Sequence, residues 1–136
     1  MGPFPVSRAA ALRLLTPAQL LHTLLQAMAE RGSGAIVFAQ GSSARQPNAR
    51  LASVGVPQAG LVNYLVAADA EVRARGVRVG SLQIGSLIKG SAAEQLFDAG
   101  HFDGFDLPEV RRVTPDVLAD AVYEMATTDT EVERAA

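Results

Sequence analysis

Two apolar strands joined by one long helix constrain the fold of this chain more than any other feature. Residues 35–39 form a short apolar run without alternation and with β-branched centres, which is typical of a strand buried on both faces. Residues 77–84 form a second strand, and residues 56–75 between them place apolar side chains along a helix that ends at Gly76. Strands connected in this way lie parallel, with a right-handed crossover. The sequence therefore predicts an α/β fold.

Further helices are predicted on either side of this unit. Thr16 and Pro17 predict a helix start, because Thr can cap the first turn and Pro at the first position loses no hydrogen bond. Gly32 predicts the end of that helix. Shorter helices are expected over residues 92–99 and 115–126, and the polar tail that follows contains a candidate for a short edge strand.

These elements predict a single domain that is incomplete. We expect an irregular arm over residues 1–15, a helix–strand–helix–strand core over residues 16–91, and a lid loop with a C-terminal helix over residues 92–136. Two to three parallel strands are fewer than the roughly five or six of a free-standing doubly wound sheet. The chain is therefore expected to form part of such a fold, with flanking helices.

Composition excludes several classes of function. The chain has 136 residues, a net charge of -2 and no cysteine, so disulfides and thiolate chemistry are excluded. Basic residues are spread along the chain, which argues against a nucleic-acid partner. Neither a secretory signal nor an apolar run of the ~20 residues that span a bilayer is expected. We therefore predict a cytoplasmic protein with no membrane partner.

Four short segments and the strand between them resemble a known family in their order and spacing. They resemble the second half of a short-chain dehydrogenase/reductase, with its M-x-x-R-G-x-G, Y-x-x-x-K, G-x-R-V and P-G-x-x-x-T segments. The resemblance implies a partial Rossmann-like fold and NAD(P)-dependent oxidoreduction of a small carbonyl or alcohol substrate. The matching segments are Met28–Gly34 (MAERGSG), Val54–Gln58 (VGVPQ), Gly76–Val79 (GVRV) and Ile84–Ile88 (IGSLI).

The family's catalytic pair is replaced here. In the family, a Tyr exchanges a proton with the substrate, and a Lys one helical turn later shifts the phenol towards ionisation. The corresponding residues are Val54 and Gln58, and neither can transfer a proton. Tyr64 does not restore the motif, because Ala68 lies four residues after it. Whether the chain is an enzyme stays open, and impaired catalysis is expected.

The family's cofactor site is only partly matched. A glycine-rich T-G-x-x-x-G-x-G turn normally binds the pyrophosphate, and this sequence has none. By resemblance, Ile84, Gly85 and Ser86 flank the nicotinamide position. We therefore expect a truncated chain that binds no cofactor tightly, although NAD(P) is the cofactor of the family.

The family serine that binds the substrate oxygen falls at Gly41 when its spacing is counted from either side. Ser42 and Ser43 follow directly, so a small shift of the loop would supply the hydroxyl. The alternative is that both serines bind loop backbone groups, as serines in turns usually do. Both interpretations stay open.

Residues 100–108 correspond to the family's mobile substrate lid. Phe102 and Phe105 are interpreted as apolar anchors of this loop. His101 lies beside Asp103 and Asp106, but no helix fixes their spacing and no third strong donor is near, so no metal site is predicted.

Three hypotheses about function remain. The chain is a truncated and impaired oxidoreductase; or a non-catalytic remnant that dimerises; or a cofactor-free enzyme that binds a small molecule between the serine loop and the lid. By resemblance, helices 16–31 and 56–75 form a dimer interface. The partner would be a second copy or a related dehydrogenase/reductase, and the unpaired edge of strand 35–39 also favours self-association.

Overall fold

The computed structural model has a three-stranded parallel sheet as its centre. The strands are β1 (Gly34–Gly41), β2 (Val77–Ile84) and β5 (Glu133–Ala135), in the order β1-β2-β5. The α/β prediction is confirmed, and the third strand lies in the tail, where a short edge strand was expected. The residues that the structure describes are 6–107, 109–128 and 131–136.

The register of β1 and β2 follows from the two glycine turns that precede them. Gly34 pairs with Val77, and the pairing continues to Gly41 opposite Ile84. Gly76 has a positive φ of 80°, and a Cβ atom on it would lie 2.3 Å from the carbonyl oxygen of Gly32. Only glycine allows the two turns to approach so closely, so both strands start at the same level.

Helices cover both faces of the sheet. Helices α2 (Thr16–Arg31) and α3 (Ala52–Val72) pack on one face, and α5 (Pro115–Thr127) packs on the other. The first core contains Leu21, Leu25, Ala29, Leu61, Leu65, Val72, Val77 and Val79. The second core contains Leu82, Leu118, Ala121 and Met125.

The N-terminal arm is helical where it is described, so its prediction as irregular was wrong for residues 6–15. Helix α1 (Val6–Ala10) continues through a π-helical turn (Ala11–Leu15) directly into α2. Thr16 is itself helical and does not cap α2. Pro17 lacks the N–H that would bind the Arg13 carbonyl, and the wider π turn accommodates its ring.

The crossover helix starts earlier than the sequence predicted. Helix α3 begins at Ala52, and Pro57 lies inside it, fully buried. A 3₁₀ turn, Ala49–Leu51, precedes it, with the Arg50 N–H donating to the Asn48 side chain at 2.9 Å. Asn48 therefore begins the helical segment, ahead of the start at residue 56 that the sequence predicted.

The segment Ala49–Arg75 is long and apolar enough to cross a membrane by length and composition, because an 18-residue window within it has a mean hydropathy of 1.3. The sequence analysis had expected no such stretch. Here the helix packs against α2 and the sheet, and Leu61, Val62 and Leu65 are almost completely buried. A core helix passes the same test of length and apolarity.

Strand β1 is less buried than its composition suggested. Residues 35–38 are half-buried and Ala39 is exposed, so the prediction that 35–39 is buried on both faces was wrong. Within the part of the chain that the structure describes, β1 forms the edge of the sheet and pairs only with β2. An apolar strand at an edge leaves a row of backbone groups open to pairing.

A second, two-stranded parallel sheet was not predicted. Strand β3 (Leu87–Ile88) pairs with β4 (Arg112–Val113). Between them lie α4 (Ala92–Asp98) and the lid loop. Strands of two residues give no periodic pattern in the sequence. The β3–β4 pair fixes both ends of the segment that contains α4 and the lid loop to the core.

Candidate functional site

A cleft of about 450 Å³ lies at the carboxyl ends of β1 and β2, under the segment that contains α4 and the lid loop. It is bounded by the loop after β1, the turn after β2 and the lid. The sequence-predicted site residues converge here, although they come from three separate segments. Those that line the cleft are Ser42, Ser43, Ile84, Gly85, Ser86, Phe102 and Phe105.

The two serines occupy a 3₁₀ turn, Ser42–Ala44, that begins where β1 ends. The Ser43 hydroxyl donates to Oε1 of Gln58 at a distance of 2.9 Å. Ser42 lies against Gly85, where an added Cβ would be 3.5 Å from its Oγ. The loops that follow β1 and β2 are therefore in contact, as the carboxyl ends of neighbouring parallel strands should be.

The serine turn is held from below by α3. A Cβ atom on Gly55 would lie 2.9 Å from the Ser43 carbonyl oxygen, closer than real side chains approach. Gly55 is therefore the residue that allows the turn to rest on the helix. From the sequence, Gly55 was only a part of the VGVPQ segment, and this contact was not predicted.

Val54 and Gln58 do not line the cleft. Val54 is half-buried at the start of α3. Gln58 is only 5% exposed, and its amide supports the Ser43 hydroxyl. Neither side chain carries a group that titrates near neutral pH, so this pair offers no proton to a molecule in the cleft.

Three phenylalanines form the apolar wall under the lid. The rings of Phe97 and Phe102 stack with centroids 6.2 Å apart, and Phe102 and Phe105 meet edge-on at 5.7 Å. The Arg50 guanidinium lies 4.5 Å from the centroid of Phe105, a cation–π contact that joins the lid to the loop before α3. Phe97 and Arg50 were missed, because α4 and the lid come together only in the folded chain.

The lid segment is fixed at its base by a cluster of charges on Arg112. Its guanidinium donates to Glu94 and, at 2.6 Å, to Asp98. The Gly90 N–H and Arg112 together hold the pKa of Glu94 below its ordinary value, and Arg112 also lowers the pKa of Asp98. The same contacts raise the pKa of Arg112, so all three groups are charged at neutral pH.

A second concavity, of about 470 Å³, lies away from this cleft, between α2 and α3. It contains His22, Tyr64, Glu71 and Arg75. His22 therefore belongs to a helix surface and not to the cleft. In residues 6–107, 109–128 and 131–136, no three His, Asp or Glu side chains come close enough to hold a metal ion.

The turn after β2 does not form a cradle for the pyrophosphate of a dinucleotide. Such a group needs unpaired backbone N–H groups at a glycine-rich turn. After β2, the Gly85 N–H already donates to the Ala136 carbonyl and the Gly90 N–H to Glu94, each at 2.7 Å. Ile84, Gly85 and Ser86 therefore supply a surface in the cleft but no phosphate cradle.

The chain matches no protein-family model and no curated protein. It is similar in structure to ElxO with NADP bound, with a TM-score of 0.75 and 18% identity over 90% of this chain and 52% of that one. A 3-oxoacyl-[acyl-carrier protein] reductase with bound NAD from Brucella melitensis gives 0.74 and 18%, over 99% and 52%.

A short chain dehydrogenase/reductase family protein is also similar, with a TM-score of 0.67 and 26% identity over 86% of this chain and 48% of that chain. The chain therefore spans about half the length of these structures. These likenesses support the short-chain dehydrogenase/reductase fold that the sequence resemblance implied. The fold is thus a partial Rossmann-like one.

Proposed function

We propose that this chain binds a small, largely apolar molecule in the cleft under the lid, as the substrate-binding part of a protein with the short-chain dehydrogenase/reductase fold. The convergence of the serine turn, the Ile84–Ser86 turn and the lid phenylalanines on one cavity of about 450 Å³ supports this function best. A mostly apolar cavity of this size with a few polar groups is typical of small-molecule sites.

We also propose that this chain is impaired in hydride transfer. Val54 and Gln58 stand where the family has its proton-transferring pair, and neither lines the cleft. The N–H groups of Gly85 and Gly90 are used within the chain. The chain on its own therefore binds its small molecule without reducing it, and it binds NAD(P) weakly or not at all.

Two titrations test this function. NADH and NADPH, followed by their fluorescence, should show no saturable binding below millimolar concentration. Indanol, a small apolar alcohol, should shift backbone amide NMR signals around Ser43, Gly85 and Phe102 in a saturable way. A micromolar dissociation constant for either dinucleotide would refute the impaired cofactor binding. Shifts scattered over the surface would refute the cleft as the binding site.

A second candidate function, dimerisation, is favoured by the outer surface of α2 and α3. This surface exposes large apolar side chains, whereas isolated exposed apolar residues would need no explanation. We propose that it forms an interface with a second copy or with a related dehydrogenase/reductase. The exposed side chains are Leu20, Leu24, Val56, Tyr64 and Val66.

The oligomeric state and its response to charge test this candidate. The unmodified chain should sediment as a dimer, or as a heterodimer when a related dehydrogenase/reductase is added. Leu20→Glu with Val66→Glu should give monomers, because two buried carboxylates would oppose association. Val117→Glu is the matched control, since Val117 is equally apolar and 54% exposed but lies on α5. A monomeric unmodified chain that recruits no related protein would contradict the proposal.

A further inference from the structure

The Ser43 hydroxyl has a single proton, and the structure shows where it goes. Its Oγ lies 2.9 Å from Oε1 of Gln58, a side chain that is 5% exposed. A buried amide oxygen without a partner costs about 1–3 kcal/mol, so this bond is retained when a ligand enters the cleft. Only the lone pairs of Ser43 therefore remain for a ligand.

The other polar side chains of the cleft have no single fixed preference: the amides of Gln46 and Asn48 both donate and accept, although Oδ1 of Asn48 already accepts from the Arg50 N–H. The hydroxyls of Ser42 and Ser86 can rotate, so each can donate or accept. Glu109 is the one charged side chain among the described residues that line the cleft. An ionised carboxylate only accepts hydrogen bonds, and it attracts a cation.

We propose that the cleft selects molecules whose polar group donates a hydrogen bond, an alcohol or a protonated amine on an apolar body, over the matching ketone. This inference rests on the proposed binding function of the cleft. It assigns Ser43 as the specificity-determining residue and Gln58 as its positioning residue. Here the Ser43 hydroxyl accepts a hydrogen bond from the ligand. The family resemblance implies the opposite direction, in which the serine donates to a substrate carbonyl.

Three ligands with one rigid aromatic body test the proposal: indanol, aminoindane and indanone. Binding is measured by amide shifts in the full chain at neutral pH. Indanol should bind about three- to tenfold tighter than indanone, the range expected for one net hydrogen bond. Aminoindane should bind at least as tightly as indanol and weaken as salt is raised, because Glu109 is screened.

Two variants test whether Ser43 and Gln58 cause the preference for indanol over indanone. Ser43→Ala should bring the ratio of the indanol and indanone constants to about one. Gln58→Met keeps a side chain of similar length but frees the Ser43 proton, so the ratio should fall to one or invert in favour of indanone. Ser53→Ala is the control: Ser53 lies on α3, as Gln58 does, but outside the cleft, so the ratio of the two constants should not change. Circular dichroism before each titration shows that the variants are folded.

The outcomes separate the two proposals. Equal or tighter binding of indanone to the unmodified chain would overturn the preference for donors and leave the cleft as a binding site. A ratio that survives both Ser43→Ala and Gln58→Met would remove the assigned roles and overturn the inference in the same way. Absence of saturable binding by all three ligands would overturn the proposed function, and this inference with it.

Discussion

Arg45 and Glu133 lie 88 positions apart in the chain and form a two-point ion pair, with N–O distances of 2.7 and 3.0 Å. The pair joins the loop after β1 to β5, the last strand of the sheet. Gln83 donates to the same carboxylate at 2.8 Å. The cleft side of the sheet is therefore tied together by Glu133 across all three strands.

Loss of this carboxylate should loosen β5. Glu133→Gln is expected to cost about 0.5–1 kcal/mol of stability, the scale of a partly exposed ion pair. Hydrogen exchange should accelerate at the N–H groups of Ser81 and Gly85, which donate to Val132 and Ala136. Glu30→Gln, at an exposed position of α2 away from β5, is the control. Equal exchange in both variants would contradict the role of Glu133.

The same residue predicts a pH dependence. Arg45, with a further contribution from Gln83, holds the pKa of Glu133 below its ordinary value of 4.5. A carboxylate with a lowered pKa in the folded state stabilises above its unfolded pKa, and this stabilisation is lost as pH falls through the folded value. The difference in unfolding free energy between the unmodified chain and Glu133→Gln should therefore shrink below about pH 4.5. A constant difference would contradict it.

The contact of Gly76 with Gly32 predicts unequal effects of two alanine substitutions. Gly76→Ala places a Cβ 2.3 Å from a backbone oxygen at a φ of 80°, and should cost about 3 kcal/mol or more. Gly32→Ala has a similar φ of 77° but no atom within 4 Å, and should cost only about 1 kcal/mol. Urea unfolding measures both. If both variants lose a similar amount of unfolding free energy, the positive φ alone sets the loss, and the close approach to the Gly32 oxygen does not contribute.

Gln40 and Ser81 form a buried polar pair on the sheet, with Nε2 donating to Oγ at 2.9 Å, while Oε1 of Gln40 finds no partner among the residues that the structure describes. Ser81→Ala should cost about 1–3 kcal/mol, because the amide N–H groups lose their buried acceptor. Adding Gln40→Met should recover part of that loss, since both polar partners are then absent. A double-mutant cycle of unfolding free energies checks this. Strictly additive losses would contradict the coupling.

The charge cluster on Arg112 predicts a local effect. Arg112→Gln should leave the global unfolding free energy within about 1 kcal/mol, because the pairs are at the surface. It should increase hydrogen exchange over α4 and the lid, since Glu94 and Asp98 lose their common partner. Arg8→Gln, in α1, serves as the surface control. Unchanged exchange in the lid would show that packing of Phe97 and Phe102 is sufficient to hold it.

The crossover unit was predictable because its signals are local. The strand predicted at 77–84 coincides with β2, and Gly32 and Gly76 end their helices with φ of 77° and 80°. Such turns need glycine whatever the rest of the chain does. The arm was misjudged, because residues 6–15 are helical although the sequence predicted an irregular segment over residues 1–15.

Several residues that line the cleft could be selected from the sequence, but the contacts between them could not. Resemblance in the order of segments selected Ser42, Ser43 and Phe105, and the fold places them in one cleft. Resemblance could not predict that Gln58 accepts the hydrogen bond of the Ser43 hydroxyl. That bond depends on the rotation of α3 against β1, and on the absence of a side chain at Gly55.

By itself, the sequence determined the parallel strand–helix–strand unit and its glycine turns, because apolar spacing and positive φ are properties of short segments. Only the tertiary structure decided that Glu133 joins β5 to β2 and to the loop after β1, that the lid contacts Phe97 and Arg50, and that the Ser43 hydroxyl donates to Gln58. Each of these contacts joins residues from different segments. Their distance is set by the crossover and the packing of the helices, which no local pattern encodes.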